Sequence, residues 1–159
     1  IENFMLNNDV LRSLRYTLNL NDNALLELFH NVEPDLDVAT LRSYLASEED
    51  ESFVRMDDEL MVGFLDSLIV SRRGPSPQPA PPTELPLTNN TVLKKLRVAF
   101  TLQEADLLAI LDSVAFTVTK PELSALFRKP DHKNYRLCGD QLLRQFLKGL
   151  TLRLRPEAN

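Results

Sequence analysis

Asn7-Asn8-Asp9-Val10-Leu11-Arg12-Ser13-Leu14-Arg15 and Asn89-Asn90-Thr91-Val92-Leu93-Lys94-Lys95-Leu96-Arg97 are variants of one nine-residue pattern, set 82 positions apart. Extending the match outward, residues 7–70 and 89–152 align without a gap. Leu25-Leu26 meets Leu107-Leu108, Leu41 meets Leu123, Asp58 meets Asp140, and Phe64-Leu65 meets Phe146-Leu147. About a quarter of the aligned positions are identical, and most others keep their apolar or polar character. A gapless match of that length marks an internal duplication.

Within each copy the apolar residues recur at helical spacing. Val10, Leu11, Leu14 and Leu18 form one stripe, matched by Val92, Leu93, Leu96 and Phe100, which predicts a first helix. Asn8 and Asn90 are expected as its N-caps, bonding the orphan amides of the first turn. Thr101-x-x-Glu104 and Thr119-x-x-Glu122 read as capping boxes for a second and a third helix. The second would bury Leu107, Leu108 and Leu111, and the third, with Pro121 in its first turn, Leu123, Leu126 and Phe127. A fourth helix carries the widest apolar face, Leu60, Met61, Phe64, Leu65 and Leu68, repeated as Leu142, Leu143, Phe146, Leu147 and Leu150. In the first copy Arg72-Arg73-Gly74 supplies cations and a glycine stop at its end. The β-formers of Phe116-Thr117-Val118-Thr119 make a short run between two helix signals. The expected fold class is all-α: two tandem four-helix repeats, residues 5–73 and 89–155, packed with pseudo-two-fold symmetry.

Between them, residues 74–88 hold Pro75, Pro77, Pro79, Pro81, Pro82 and Pro86. Proline fixes φ and donates no hydrogen bond, so the stretch should be extended and polyproline-like, a tether or a ligand for an aromatic groove. Met5 reads as the natural start, with the first four residues a remnant.

Composition narrows the class. Hydrophobic residues make up 43% of the 159 and the mean hydropathy is −0.19, enough apolar material for a core. No apolar run approaches the roughly 20 residues that span a bilayer, and no signal pattern opens the chain. One cysteine, Cys138, excludes an internal disulfide and points to the cytosol. The net charge of −5 conceals a division: Met5–Val70 holds 14 acidic and 4 basic residues, Leu87–Arg155 holds 6 acidic and 12 basic. Glu48-Glu49-Asp50-Glu51 of the first copy stands where the second has Pro130-Asp131-His132-Lys133. Opposite signs could dock the copies, drive association of the protein with itself or with an acidic protein, or leave the basic copy to bind an anion such as nucleic acid.

Candidate ligand contacts are Lys94, Lys95, Arg128, Lys129, His132, Lys133 and Arg136. The second and third helices also resemble a helix-turn-helix, with Lys120, Ser124, Arg128 and Lys129 on or beside the recognition position, although Asp37, Thr40, Arg42 and Ser43 of the first copy are not basic there. His132, Cys138 and Asp140 make an imaginable nucleophilic trio, but no nucleophile elbow surrounds Cys138. Two histidines and one cysteine are too few for a metal site, four scattered glycines make no phosphate loop, and no cofactor is implied. Arg15 with Asp58 and Arg97 with Asp140 are expected as equivalent ion pairs, each acid in the first turn of the fourth helix.

The paired Asn-Asn-x-Val-Leu-[Arg/Lys]-x-Leu-Arg, with Pro130-Asp131-His132-Lys133-Asn134-Tyr135-Arg136 and Cys138-Gly139-Asp140-Gln141, resembles the YehS-like family of small bacterial proteins. That resemblance implies a bacterial cytosolic protein built as a tandem duplication, in a family classed as a domain of unknown function, and supplies no reaction, partner or site residue. The residues themselves favour a non-enzymatic, regulatory interaction module that meets an anionic ligand through the second copy. A protein–protein adaptor or self-associating protein, and a cryptic enzyme around His132, stand as alternatives.

Overall fold

A computed structural model describes residues 5–78 and 81–158. The segment before Met5, and Pro79 and Ala80 of the linker, lie outside the described residues. Two compact units divide the chain between Leu87 and Thr88. The first contains α1 (Asn7–Leu18), α2 (Asp22–Phe29), α3 (Val38–Leu45) and α4 (Asp58–Arg73). The second contains α5 (Asn89–Ala99), α6 (Glu104–Asp112), α7 (Lys120–Ala125) and α8 (Asp140–Leu154), then a 3₁₀ turn at Pro156–Ala158. No strand occurs among the described residues, and Phe116–Thr119 is an irregular connection. The all-α, tandem four-helix reading holds.

The fourth helix organises each core. In the first unit Met61, Phe64 and Leu65 are buried, as are Leu11, Leu14, Leu25, Phe29 and Leu41, with the Phe29 and Phe64 rings stacked 4.8 Å apart. Leu143, Phe146, Leu147 and Leu150 repeat this with Leu93, Leu96, Leu107, Leu111 and Leu123. Leu108 and Leu142, expected in the core, are only half-buried; Ile110 is the buried partner on α6. Helix α4 stops where Gly74 turns to φ +82°, its N–H donating to the Val70 carbonyl at 2.7 Å, a conformation L side chains resist. At the far end of the linker, the Leu87 N–H donates to the Asp58 carboxylate at 2.9 Å.

The expected N-caps are displaced by two residues. Helix α5 is capped by the Thr88 side chain, and α1 begins after Leu6, whose N–H is held by Asp9 at 2.8 Å. Asn8 and Asn90 lie inside the first turn and are 0% and 7% exposed. Asn8 donates to the carbonyls of Tyr44 and Val54, both at 2.9 Å, and accepts the Met56 N–H at 3.0 Å. Asn90 makes the same bonds to Leu126 (3.0 Å), Arg136 (2.7 Å) and Cys138 (2.9 Å). One side chain therefore satisfies three backbone groups, one at the end of the third helix and two in the irregular chain before the fourth, groups that burial would otherwise leave without partners.

Asn7 and Asn89 add a second clasp. Asn7 donates to the Met56 carbonyl and to Asp58, and Asn89 to the Cys138 carbonyl and to Asp140. The acids repeated in both copies do share a geometric role, but asparagine is the partner. Arg15 pairs with Asp22 at 3.0 Å, and Arg97 lies over the Phe127 ring, 4.6 Å from its centroid. Their Nε atoms donate to the Leu20 and Leu102 carbonyls at 3.2 and 3.1 Å. The first helices end there, at Asn19 and Thr101 with φ +53° and +52°. Thr101 thus terminates α5 instead of capping α6, which takes Gln103 and Asp106. The Thr119–Glu122 capping box forms as read.

Candidate functional site

Helix α5 and the chain leaving α7 enclose a cleft of about 160 Å³ within the second unit. Thr88, Asn90, Thr91 and Lys94 line one wall; Leu126, Phe127, Arg128, Lys129, Pro130 and Tyr135 line the other. The wall residues are placed by bonds already described: Asn90 ties Leu126 and Arg136 to α5, and the Arg136 N–H donates to the Ala125 carbonyl at 3.1 Å. Two successive turns, His132 N–H to Lys129 carbonyl and Tyr135 N–H to His132 carbonyl, fold the loop back.

Three of the seven candidate contacts meet here: Lys94, Arg128 and Lys129. Lys95, His132, Lys133 and Arg136 do not line the cleft. Arg136 is tied to Glu122 at 3.0 Å, and His132 is exposed with its Nδ1 accepting the Asn134 N–H at 2.9 Å. Lys94, Arg128 and Lys129 are exposed and make no ion pair with a described residue. Sequence reading missed Thr88, Thr91, Phe127 and Tyr135 as cleft residues. Phe127 carries a core signal instead, because an aromatic at a wall reads like one in a core.

The corresponding place in the first unit is built differently. Position for position, Asp9 replaces Thr91, Arg12 replaces Lys94 and Ala46 replaces Arg128. Arg12 reaches from α1 across to the Ala46 carbonyl at 2.8 Å while also holding Asp9. A guanidinium satisfied by a carboxylate and a carbonyl bridges the walls there. The second unit has no carboxylate at that position and carries two further cations, Arg128 and Lys129, on an unbridged cleft.

The imagined trio is not assembled for nucleophilic chemistry. Cys138 is buried, and burial followed by the nearby Asp140 charge pushes its thiol up to about 12; a nucleophilic cysteine needs the opposite shift. Its N–H and carbonyl serve Asn90 and Asn89. The helix-turn-helix reading also fails in detail, since α7 has six residues and Arg128 and Lys129 follow it in the loop. Among the described residues no group of three or more histidine, cysteine or acidic side chains could hold a metal, and no helix is long and apolar enough to cross a membrane.

The family described as "Protein of unknown function (DUF1456)" matches residues 7–74 and again 89–155. "Uncharacterized protein YehS" of Escherichia coli (strain K12) is 45% identical over 150 residues, covering 94% of this chain and 96% of that protein. No solved structure matches. The resemblance read from the repeated asparagines and the second-copy loop is borne out at the level of family.

Proposed function

We propose, for a chain that belongs to the DUF1456 family of proteins of unknown function, a non-enzymatic helical binding module whose second repeat receives an anionic group. The observation that carries this reading is the contrast between equivalent positions. Arg12 bridges the first unit's walls, whereas Lys94, Arg128 and Lys129 face an open cleft. Three cations without carboxylate partners repel one another, and an entering anion removes that cost. The Thr88 and Thr91 hydroxyls and the first turn of α5 add donors and a favourable dipole end. The walls stand on Asn90 and the Arg136–Ala125 bond, so the site is largely formed before a ligand arrives.

Calorimetric titration of the full chain with pyrophosphate at low ionic strength tests this. One site per chain is expected, lost in Lys94→Glu/Arg128→Glu and retained in Lys148→Glu, an exposed cation of α8 outside the cleft. Absence of binding, or equal binding by all three proteins, overturns the reading.

A further inference from the structure

We propose that the cleft's ligand is single-stranded nucleic acid, an unstacked base entering beside Tyr135 and Phe127 while the flanking phosphates meet Lys94, Arg128 and Lys129. This rests on the anion-binding reading above and goes further by naming the ligand.

Size is the first argument. At about 160 Å³ the recess is smaller than the ~300 Å³ from which pockets for whole small molecules begin. It therefore takes one group of a longer ligand. The lining supplies the second argument. A free phosphate or a peptide carboxylate is served by cations and hydroxyls alone, but Phe127, Pro130 and Tyr135 form part of this wall. An aromatic platform next to positive charge is the arrangement that holds a base by its π-face and its backbone by charge. Phe127 already carries the Arg97 guanidinium on its ring, which leaves the half-buried Tyr135 as the platform for the base.

Duplex is disfavoured by the same geometry. Helix α7 spans only Lys120–Ala125, too short to lie along a major groove, and the cations sit in the loop beyond it. Bases in a duplex are stacked and cannot enter a recess. Thr88 and Thr91 offer hydroxyls to base edges without a fixed donor–acceptor code, since either oxygen of that pair can donate. Recognition should then be tolerant of sequence.

The test uses the full chain with a fluorescein-labelled thymidylate dodecamer, a duplex of equal length, polyglutamate and pyrophosphate, followed by anisotropy. Neutralising three phosphates of a single strand gives a log–log salt slope near −2, about a 16-fold loss between ~50 and ~200 mM salt. Tyr135→Leu should weaken the dodecamer by about 5- to 150-fold, while Tyr135→Phe keeps the platform and most of the affinity. The chain has three tyrosines and no tryptophan, so base stacking also appears as quenched tyrosine emission, absent in Tyr135→Phe. Thermal melts of both variants separate loss of the platform from loss of the fold. Pyrophosphate binding without dodecamer binding overturns this inference and leaves the anion site standing. Polyglutamate or duplex binding as tightly as the dodecamer overturns it in favour of an acidic protein or a double helix. No binding of any anion overturns both.

Discussion

Replacing Asn8 by Asp changes one atom and should remove a large part of the first unit's stability. The native amide donates to the Tyr44 and Val54 carbonyls at 2.9 Å each and accepts the Met56 N–H at 3.0 Å, in a position with no solvent exposure. An aspartate keeps the acceptor and loses both donors. Its second oxygen then faces two carbonyl oxygens at a separation meant for hydrogen bonds. Each buried group left without a partner costs about 1–3 kcal/mol, so the substitution should cost about 3–5 kcal/mol. Domains of ordinary size hold only ~5–15 kcal/mol in total, and a unit this small sits toward the low end.

The same substitution carries a pH signature. The new carboxyl, buried against carbonyls, has a folded pKa raised above its ordinary ~3.9. A raised folded pKa means the variant's deficit is smallest below the unfolded value, where the protonated carboxyl can donate one bond. The deficit grows as pH rises through the folded value. Urea unfolding followed by circular dichroism, wild type against Asn8→Asp from acid to neutral pH, reads both effects. Asn8→Asp within about 1 kcal/mol of wild type at neutral pH would refute the reasoning, as would a deficit independent of pH.

Gly149→Ala should destabilise the second unit by about 3 kcal/mol in thermal or urea unfolding, because a Cβ there meets the Ile110 carbonyl and lies 2.8 Å from its Cγ2. Gly63→Ala should cost less, since its obstacle is the side chain of Val32, which is 40% exposed; the reverse order would contradict the packing of α6 on α8. Cys138, with its thiol pushed up to about 12 from 9.0, favours the folded state fully below pH ~9 and loses that contribution as pH rises toward 12. Wild type should therefore lose stability relative to Cys138→Ala over that window, and the native thiol should resist alkylation; prompt modification at neutral pH would contradict its burial. Finally, Asp9→Thr/Arg12→Lys/Ala46→Arg/Ser47→Lys removes the first unit's carboxylate and gives it the second unit's three cations at the equivalent positions, and calorimetry should find two pyrophosphate sites per chain in place of one.

Periodicity carried most of the fold. The duplication, the four-helix content and the apolar face of the last helix are written in Leu60, Met61, Phe64 and Leu65 and their counterparts, because core burial repeats at helical spacing. The asparagines misled for a physical reason. An Asn at the start of an apolar stripe fits an N-cap as well as it fits a buried clamp, and the difference lies in Tyr44, Val54 and Met56, 36 to 48 residues away. The Arg–Asp pairs failed similarly. Repetition marks Asp58 and Asp140 correctly, but Asn7 and Asn89 donate to them, and Arg15 pairs with Asp22 instead. Thr101 shows the limit of motif spacing: Thr-x-x-Glu is present, yet the residue sits at positive φ as a helix stop. Of the candidate site, the charge of the second copy was legible. Which three cations share a cleft was not, since that depends on how the loop is pinned to α5.

One scaffold is used twice, with Arg12 bridging the walls in the first unit and an unbridged cleft in the second, which we propose receives an anion. Amide chemical shifts of the full chain, followed during a pyrophosphate titration at low salt, test that claim most directly. The predicted result is saturable shifts at Thr88–Lys94 and at Leu126–Lys129, with Leu6–Arg12 and Tyr44–Ser47 unmoved. Shifts at both sets, at neither, or only at the exposed His132–Lys133 turn would contradict it.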